Sequence, residues 1–191
     1  MKQTPGRVRI IGGRWRGTRL PVADAPGLRP TSDRARETLF NWLQPELPGA
    51  RVLDLFAGSG ALGLEALSRG ATEAMLVERD AGLAKGLQEA VQKLEGGGAA
   101  RVVRADALQF LAAPLHGRFN LVFLDPPFEA SLWDAALAQL PAWLAEDALL
   151  YVESPVDGHV EPGAGWVPHR ESRTRDARHA LYRRVPRTAS A

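Results

Sequence analysis

A chain of 191 residues with 45% hydrophobic residues, 24 Lys and Arg against 22 Asp and Glu, and no cysteine reads as one globular domain of ordinary size. It is long enough to bury roughly 70% of its unfolded surface without disulfides. The missing cysteine excludes a thiolate nucleophile, an iron–sulfur cluster and a cysteine-ligated zinc. The first ten residues hold no apolar run that could serve as a leader, and stretches such as Leu121 to Leu124 are far too short to cross a bilayer, so a cytoplasmic protein is expected.

The small net charge of +2 hides an uneven distribution. Residues 1–36 carry nine basic and two acidic side chains, residues 37–168 eight and eighteen, and residues 169–191 seven and two. Two basic ends around an acidic body suggest a polyanion bound at the ends, because basic side chains that neutralise phosphates release counterions. The segment from Arg7 to Leu20 reads as a basic hairpin, two short β-like runs joined by Gly12-Gly13, and it offers Arg7, Arg9, Arg14, Arg16 and Arg19. Trp15 lies between two arginines, as a stacking platform in a phosphate-binding strip would. Pro21 to Pro30 reads as a linker, so a hairpin-and-linker unit is expected over residues 1–28 and a main domain over residues 29–191.

Thr31-Ser32-Asp33 then offers caps for a helix through about Leu43, with Leu39, Phe40 and Leu43 on one face. From residue 51 short apolar runs alternate with helical stretches. Strands are expected at Arg51 to Phe56, Ala74 to Val77, Val102-Val103, Leu121 to Leu124 and Leu149 to Val152, and helices at Ala61 to Arg69, Asp80 to Leu94 and Leu132 to Leu140. The alternation predicts an α/β fold with a doubly wound, mostly parallel sheet. Gly163 to Arg170 and Leu181 to Val185 are expected to close the chain as an antiparallel hairpin. His116, His159, His169 and His179 show no metal spacing and read as surface or RNA-facing side chains.

In doubly wound sheets ligands bind beyond the carboxyl ends of the strands. The first such end reads Asp54-Leu55-Phe56-Ala57-Gly58-Ser59-Gly60-Ala61-Leu62-Gly63, a formal match to the glycine-rich dinucleotide fingerprint, with Glu78 where a ribose-binding acid would lie. Two details favour S-adenosylmethionine over a dinucleotide. Asp54, inside the strand, suits the ammonium of a methionine moiety and would sit awkwardly near a pyrophosphate. Asp106, after the third strand, can accept from an adenine amine while the N–H of Ala107 meets a ring nitrogen. Phe56, Ser59 and Arg79 flank these groups and complete the expected cofactor set. Ser59 has no fixed His–acid partner legible in the sequence, so a cofactor loop explains it better than a nucleophile.

The fourth strand ends in Asp125-Pro126-Pro127-Phe128. Two prolines remove two backbone donors and fix two φ angles, leaving a stiff loop with bare carbonyls. Such an array suits the exocyclic amine of a nucleobase, a poor nucleophile because its lone pair is delocalised into the ring. Accepting both N–H hydrogens at Asp125 and at the Pro126 carbonyl would localise that lone pair toward a sulfonium methyl, while Phe128 stacks on the base. An acid or Asn followed by Pro-Pro-aromatic is the signature of amino-directed nucleic-acid methyltransferases.

Taken with Arg9 to Gly17, Arg29 to Leu43 and the glycine loop, this motif resembles the bacterial 16S ribosomal RNA guanine-N2 methyltransferases of the RsmD type, over roughly residues 8 to 185. The resemblance implies a class I methyltransferase fold, S-adenosylmethionine as donor, and transfer to N2 of one guanine in 16S ribosomal RNA. The expected partner is the small ribosomal subunit, met as a monomeric enzyme. By position it assigns the cofactor to Asp54, Gly58, Gly60, Glu78 and Asp106, the target base to Asp125 through Phe128, and an RNA-facing role to the hairpin with Arg34 and Arg36. The alternatives are a DNA adenine-N6 or cytosine-N4 methyltransferase, a non-catalytic ribosomal RNA-binding factor, and a nicotinamide-dependent oxidoreductase.

Overall fold

The computed structural model describes residues 8–20, 22, 31–113 and 117–185. Arg7, nearly all of the Pro21–Pro30 segment and His116 lie outside the described residues. The chain begins with a small antiparallel pair, β1 (Val8–Arg9) and β2 (Arg19–Leu20). Gly12-Gly13 is not the turn between them, as the sequence suggested. The strands are two residues long, and residues 10–18 form a wide loop whose backbone turns back on itself through Ile10 N–H to Thr18 O and Gly17 N–H to Ile10 O.

Helix α1 (Asp33–Leu43) starts where Ser32 caps it, the hydroxyl accepting from Ala35 N–H. The main body follows as β3 (Arg51–Asp54), α2 (Ala61–Ser68), β4 (Glu73–Glu78), α3 (Ala81–Lys93), β5 (Ala100–Arg104), α4 (Ala107–Ala112), β6 (Phe119–Leu124), α5 (Trp133–Gln139), β7 (Leu144–Pro155), β8 (Trp166–Arg173) and β9 (Ala177–Arg184). Seven strands form one sheet in the order β5-β4-β3-β6-β7-β9-β8. The first five run parallel, and β9 runs antiparallel to both of its neighbours. The closing hairpin therefore extends the main sheet, as an outer pair of strands.

Apolar residues cover both faces of the sheet. On one, Leu39, Phe40 and Leu43 of α1 and Leu64 and Leu67 of α2 pack over Val52, Leu76, Phe123 and Tyr151. On the other, Phe110 and Leu111 of α4, with Trp133 and Trp143, pack over Leu53, Val77, Val122 and Val152. Val8, Ile10, Trp15 and Leu20 of the N-terminal segment are buried in the first of these cores. Helix α4 has no counterpart among the expected elements; at six residues it is too short to display a helical period. No helix among the described residues is long and apolar enough to cross a membrane.

The chain runs outward from β3 to β5 and then returns to β6 on the far side of β3. The connections leaving β3 and β6 therefore diverge, which opens a crevice at their carboxyl ends. A cavity of about 670 Å³ lies there, a size ordinary for a cofactor site with room beside it.

Candidate functional site

The cavity has two ends. At the first, the β3–α2 turn passes through Gly58 and Gly60, both at positive φ. Gly60 is required twice: its φ is +76°, and a Cβ there would lie 2.4 Å from Leu87 Cδ1. The turn is held by acids from the neighbouring strand ends. Glu78 accepts from Gly58 N–H at 2.9 Å through Oε2 and from Asp80 N–H at 2.8 Å through Oε1. Asp54 accepts from Gly63 N–H at 3.1 Å. Asp106 caps α4, its Oδ1 accepting from Leu108 and Gln109 N–H.

Each carboxylate oxygen keeps a second lone pair, so capping and ligand binding can coexist at Glu78 and Asp106. Asp54 is the distinctive group. It is buried, its hydrogen bonds come from backbone amides, and no cation among the described residues pairs with it. Burial, with the Glu78 carboxylate beside it, pushes its pKa up to about 7. A buried acid at the glycine loop with only amide donors fits the ammonium of a methionine moiety, and Phe56, Ser59, Arg79 and Ala107 line the same cavity. The residues present therefore fit S-adenosylmethionine.

At the second end, Asp125, Pro126, Pro127 and Phe128 leave β6 and line the cavity. Among the described residues none donates a hydrogen bond to the Asp125 carboxyl. Burial raises its pKa well above the usual carboxylate range, and Glu153 and then Asp54 add to the effect. Phe128 is half-buried and rests at 5.9 Å from the Trp133 ring. Beside the loop the cavity wall is made by Thr31, Glu153 and His179. None of these three was singled out in the sequence as a site residue. Glu153 had a signal: it follows the apolar run of its strand, as Asp54, Glu78, Asp106 and Asp125 follow theirs. His179 is buried rather than surface-facing, with Nδ1 2.8 Å from the Tyr151 hydroxyl.

The basic N-terminal segment divides. Arg9, Arg14, Arg16, Arg19 and Arg34 are exposed. Trp15 is not a stacking platform: it is 5% exposed, its indole N–H donates to Glu95 O, and Arg14 lies over its ring at 4.3 Å. Arg36 is not on the exposed strip either; it is buried against the cavity wall. It is 1% exposed and turned inward, 2.6 Å from Asp33 and 3.7 Å from buried Glu65. Glu65 anchors the segment, accepting from Ile11 N–H at 2.7 Å and Gly12 N–H at 2.8 Å. Gly13, at φ +74°, passes so close to α2 that a Cβ would lie 1.9 Å from Ser68 O.

The strand order with β9 reversed, and the glycine turn at the point where the order switches, define a class I methyltransferase fold. Comparison with known proteins gives the particular family. Residues 8–183 match the family described as Conserved hypothetical protein 95. A curated relative, "Ribosomal RNA small subunit methyltransferase D" of Escherichia coli K12, is 50% identical over 182 residues, covering 94% of this chain and 91% of the relative. The protein of the same name in Haemophilus influenzae is 43% identical over 187 residues, covering 94% and 97%. The solved structure described as "Putative methyltransferase yhhF from Escherichia coli" superposes with a TM-score of 0.84 at 49% identity, covering 95% of this chain and all of that one. The chain belongs to this family, the RsmD type.

Proposed function

We propose that the protein transfers a methyl group from S-adenosylmethionine to the exocyclic N2 amine of one guanine in 16S ribosomal RNA, acting as a monomer on the small ribosomal subunit in the cytoplasm. The observation that carries this reading is the stiff Asp125 to Phe128 loop, whose carboxyl takes no hydrogen bond among the described residues, in the same cavity as the glycine turn. Family membership supports the choice of ribosomal RNA, since curated members are ribosomal RNA small subunit methyltransferases by name.

When bound, S-adenosylmethionine supplies an electrophilic methyl on a sulfonium. The residues of the chain do the rest. Asp54 meets the ammonium, Glu78 the ribose hydroxyls and Asp106 with Ala107 the adenine edge. The target guanine enters by flipping out of its stack, which costs a few kcal/mol and least in a loop or single strand. Phe128 stacks on the flipped base, and the Asp125 carboxyl and the Pro126 carbonyl accept the amine hydrogens, aiming the nitrogen lone pair. The raised proton affinity of Asp125 suits it to take the proton the amine gives up. Arg9, Arg14, Arg16, Arg19 and Arg34 present positive charge to the RNA backbone.

Labelled S-adenosylmethionine, offered with small subunits, naked ribosomal RNA and duplex DNA in parallel, tests the reading. Mass spectrometry of the digested nucleosides should find N2-methylguanosine from the subunits. N6-methyladenine from DNA would establish the alternative, and RNA binding without transfer would make the protein a non-catalytic factor.

A further inference from the structure

We propose that Glu153 is the specificity-determining residue for the base: it accepts the ring imino hydrogen, N1–H, adjacent to the amine that Asp125 holds. The proposal rests on the guanine reading given above and adds the group that enforces it.

Strand register places the two acids together. Leu124 of β6 pairs with Val152 of β7, so Asp125 and Glu153, one residue further, leave adjacent strands side by side. They point to the same face as Phe123 and Tyr151, because side chains alternate along a strand. Across the other edge of β7, Glu153 pairs with His179 of β9. Both acids line the one cavity.

Glu153 is fixed as an acceptor from behind. The Thr31 hydroxyl donates to its Oε2 at 2.8 Å and the Tyr151 hydroxyl donates to the same oxygen at 2.9 Å. Tyr151 has one hydroxyl hydrogen, so the 2.8 Å contact with His179 requires Nδ1–H to donate to the phenol oxygen. Two routes thus converge on Oε2, one from Thr31 directly and one from His179 through Tyr151. Among the described residues Oε1 takes no hydrogen bond, although Glu153 is only 6% exposed.

Two carboxyl groups abreast match a base edge that presents two donors abreast. Guanine does so, with N1–H next to the 2-amine. Adenine and cytosine do not: the ring nitrogen next to their amine carries a lone pair and no hydrogen. Placing that lone pair against a buried carboxylate leaves both unpaired, a penalty that lets a polar site reject an analogue strongly. Here the second acid, more than the proline loop, separates a guanine enzyme from an adenine or cytosine one.

The test uses 2-aminopurine, which keeps the 2-amine of guanine but lacks both the N1 hydrogen and O6, so the Glu153→Gln comparison is what assigns the loss to the N1 edge. Small subunits are reconstituted with guanine or 2-aminopurine at the position the labelling experiment identifies, and single-turnover rates of the intact enzyme are compared. The rate on 2-aminopurine should fall by about 100-fold or more. In Glu153→Gln the side-chain oxygen can still accept from Tyr151 and Thr31 while the amide NH2 turns to the base, so guanine methylation should fall and the ratio should narrow or invert. Thermal unfolding and donor affinity report whether that variant is folded; the wild-type comparison can overturn the role without it. Equal wild-type rates on the two bases overturn the role of Glu153 and leave the guanine-N2 reading intact, since that reading needs only N2-methylguanosine from the guanine arm. Methylation of adenine instead overturns both.

Discussion

The two ends of the cavity are built by different means. At the glycine turn the acids are tied to backbone amides, most of them close by in the chain: Asp54 to Gly63, Glu78 to Asp80 and, from the neighbouring strand, to Gly58, and Asp106 to Leu108 and Gln109. At the proline loop the acids stand beside side chains brought from far away, Thr31 and Glu153 being 122 residues apart. The first arrangement is a set of carboxyls at three strand ends, each capping backbone N–H groups. The second is set by strand register, and among the described residues it leaves the Asp125 carboxyl without a hydrogen-bond donor. The glycine-turn end is thus held mainly by backbone amides, and the proline-loop end by side chains brought together through strand register.

Removing Asp125 breaks this comparison most sharply. Asp125→Ala should lower the single-turnover rate by about 1,000-fold, the scale of losing one aimed polar contact in a transition state. Donor affinity, measured by calorimetry, should stay near the parent value, because Asp125 belongs to the acceptor end. A matching loss of donor affinity would show that the two ends are not separable.

That division also explains what was legible in the sequence. Asp54 and the glycine turn could be read directly, because spacing along the chain decides how they meet, and Glu78 from its place at the end of the next strand. The Asp125 to Phe128 motif was legible because two adjacent prolines are hard to explain by folding alone. Glu153 carried only the faint signal of an acid after an apolar run, and Thr31, Tyr151 and His179 carried none, since they meet Glu153 only because β7 and β9 lie in one register and the chain before α1 reaches them. The same blindness hid the burial of Trp15 and Arg36. Each reads as part of a basic strip until Glu65 and Ser68 of α2 are seen to capture the loop backbone.

Asp54→Asn sharpens the comparison from the donor side. The unfolded chain gives up this proton near the ordinary 3.8 and the fold near 7, so native stability is full below the lower value and declines as pH climbs through that window. The amide carries no such penalty. Without ligand, the variant should be more stable than the parent at pH 8 by up to roughly 4 kcal/mol, a gap that closes as the pH is lowered toward 4. Its affinity for S-adenosylmethionine should fall at the same time. Urea unfolding at several pH values reads the first effect and calorimetry the second; a pH-independent difference would place the stability change elsewhere.

Trp15→Ala comes next in size. The indole fills the first core and bonds to Glu95 O, so truncation should cost about 3 kcal/mol in chemical denaturation. If stability barely changes while RNA affinity collapses, Trp15 stacks on RNA after all.

The smallest effect separates arginines that reach solvent from the one folded inward. Each backbone phosphate contact contributes about 0.7 to 0.9 to the slope of log affinity against log salt. Replacing Arg14 and Arg16 together by Ala should therefore reduce the measured slope by about 1 to 2. Loss of the Arg14 contact over Trp15 costs the fold only about 0.5 to 1 kcal/mol, so the domain remains intact for the titration. Arg36→Ala has the opposite signature. Its guanidinium is buried beside Asp33 and Glu65, with only Nη2 hydrogen-bonded among the described residues, so the salt slope should not move, while the buried Glu65 loses one of its cations and the fold weakens. A reduced slope in Arg36→Ala, or an unchanged one in the double variant, would mean that formal charge along the chain, rather than exposure, decides which arginines meet the phosphates.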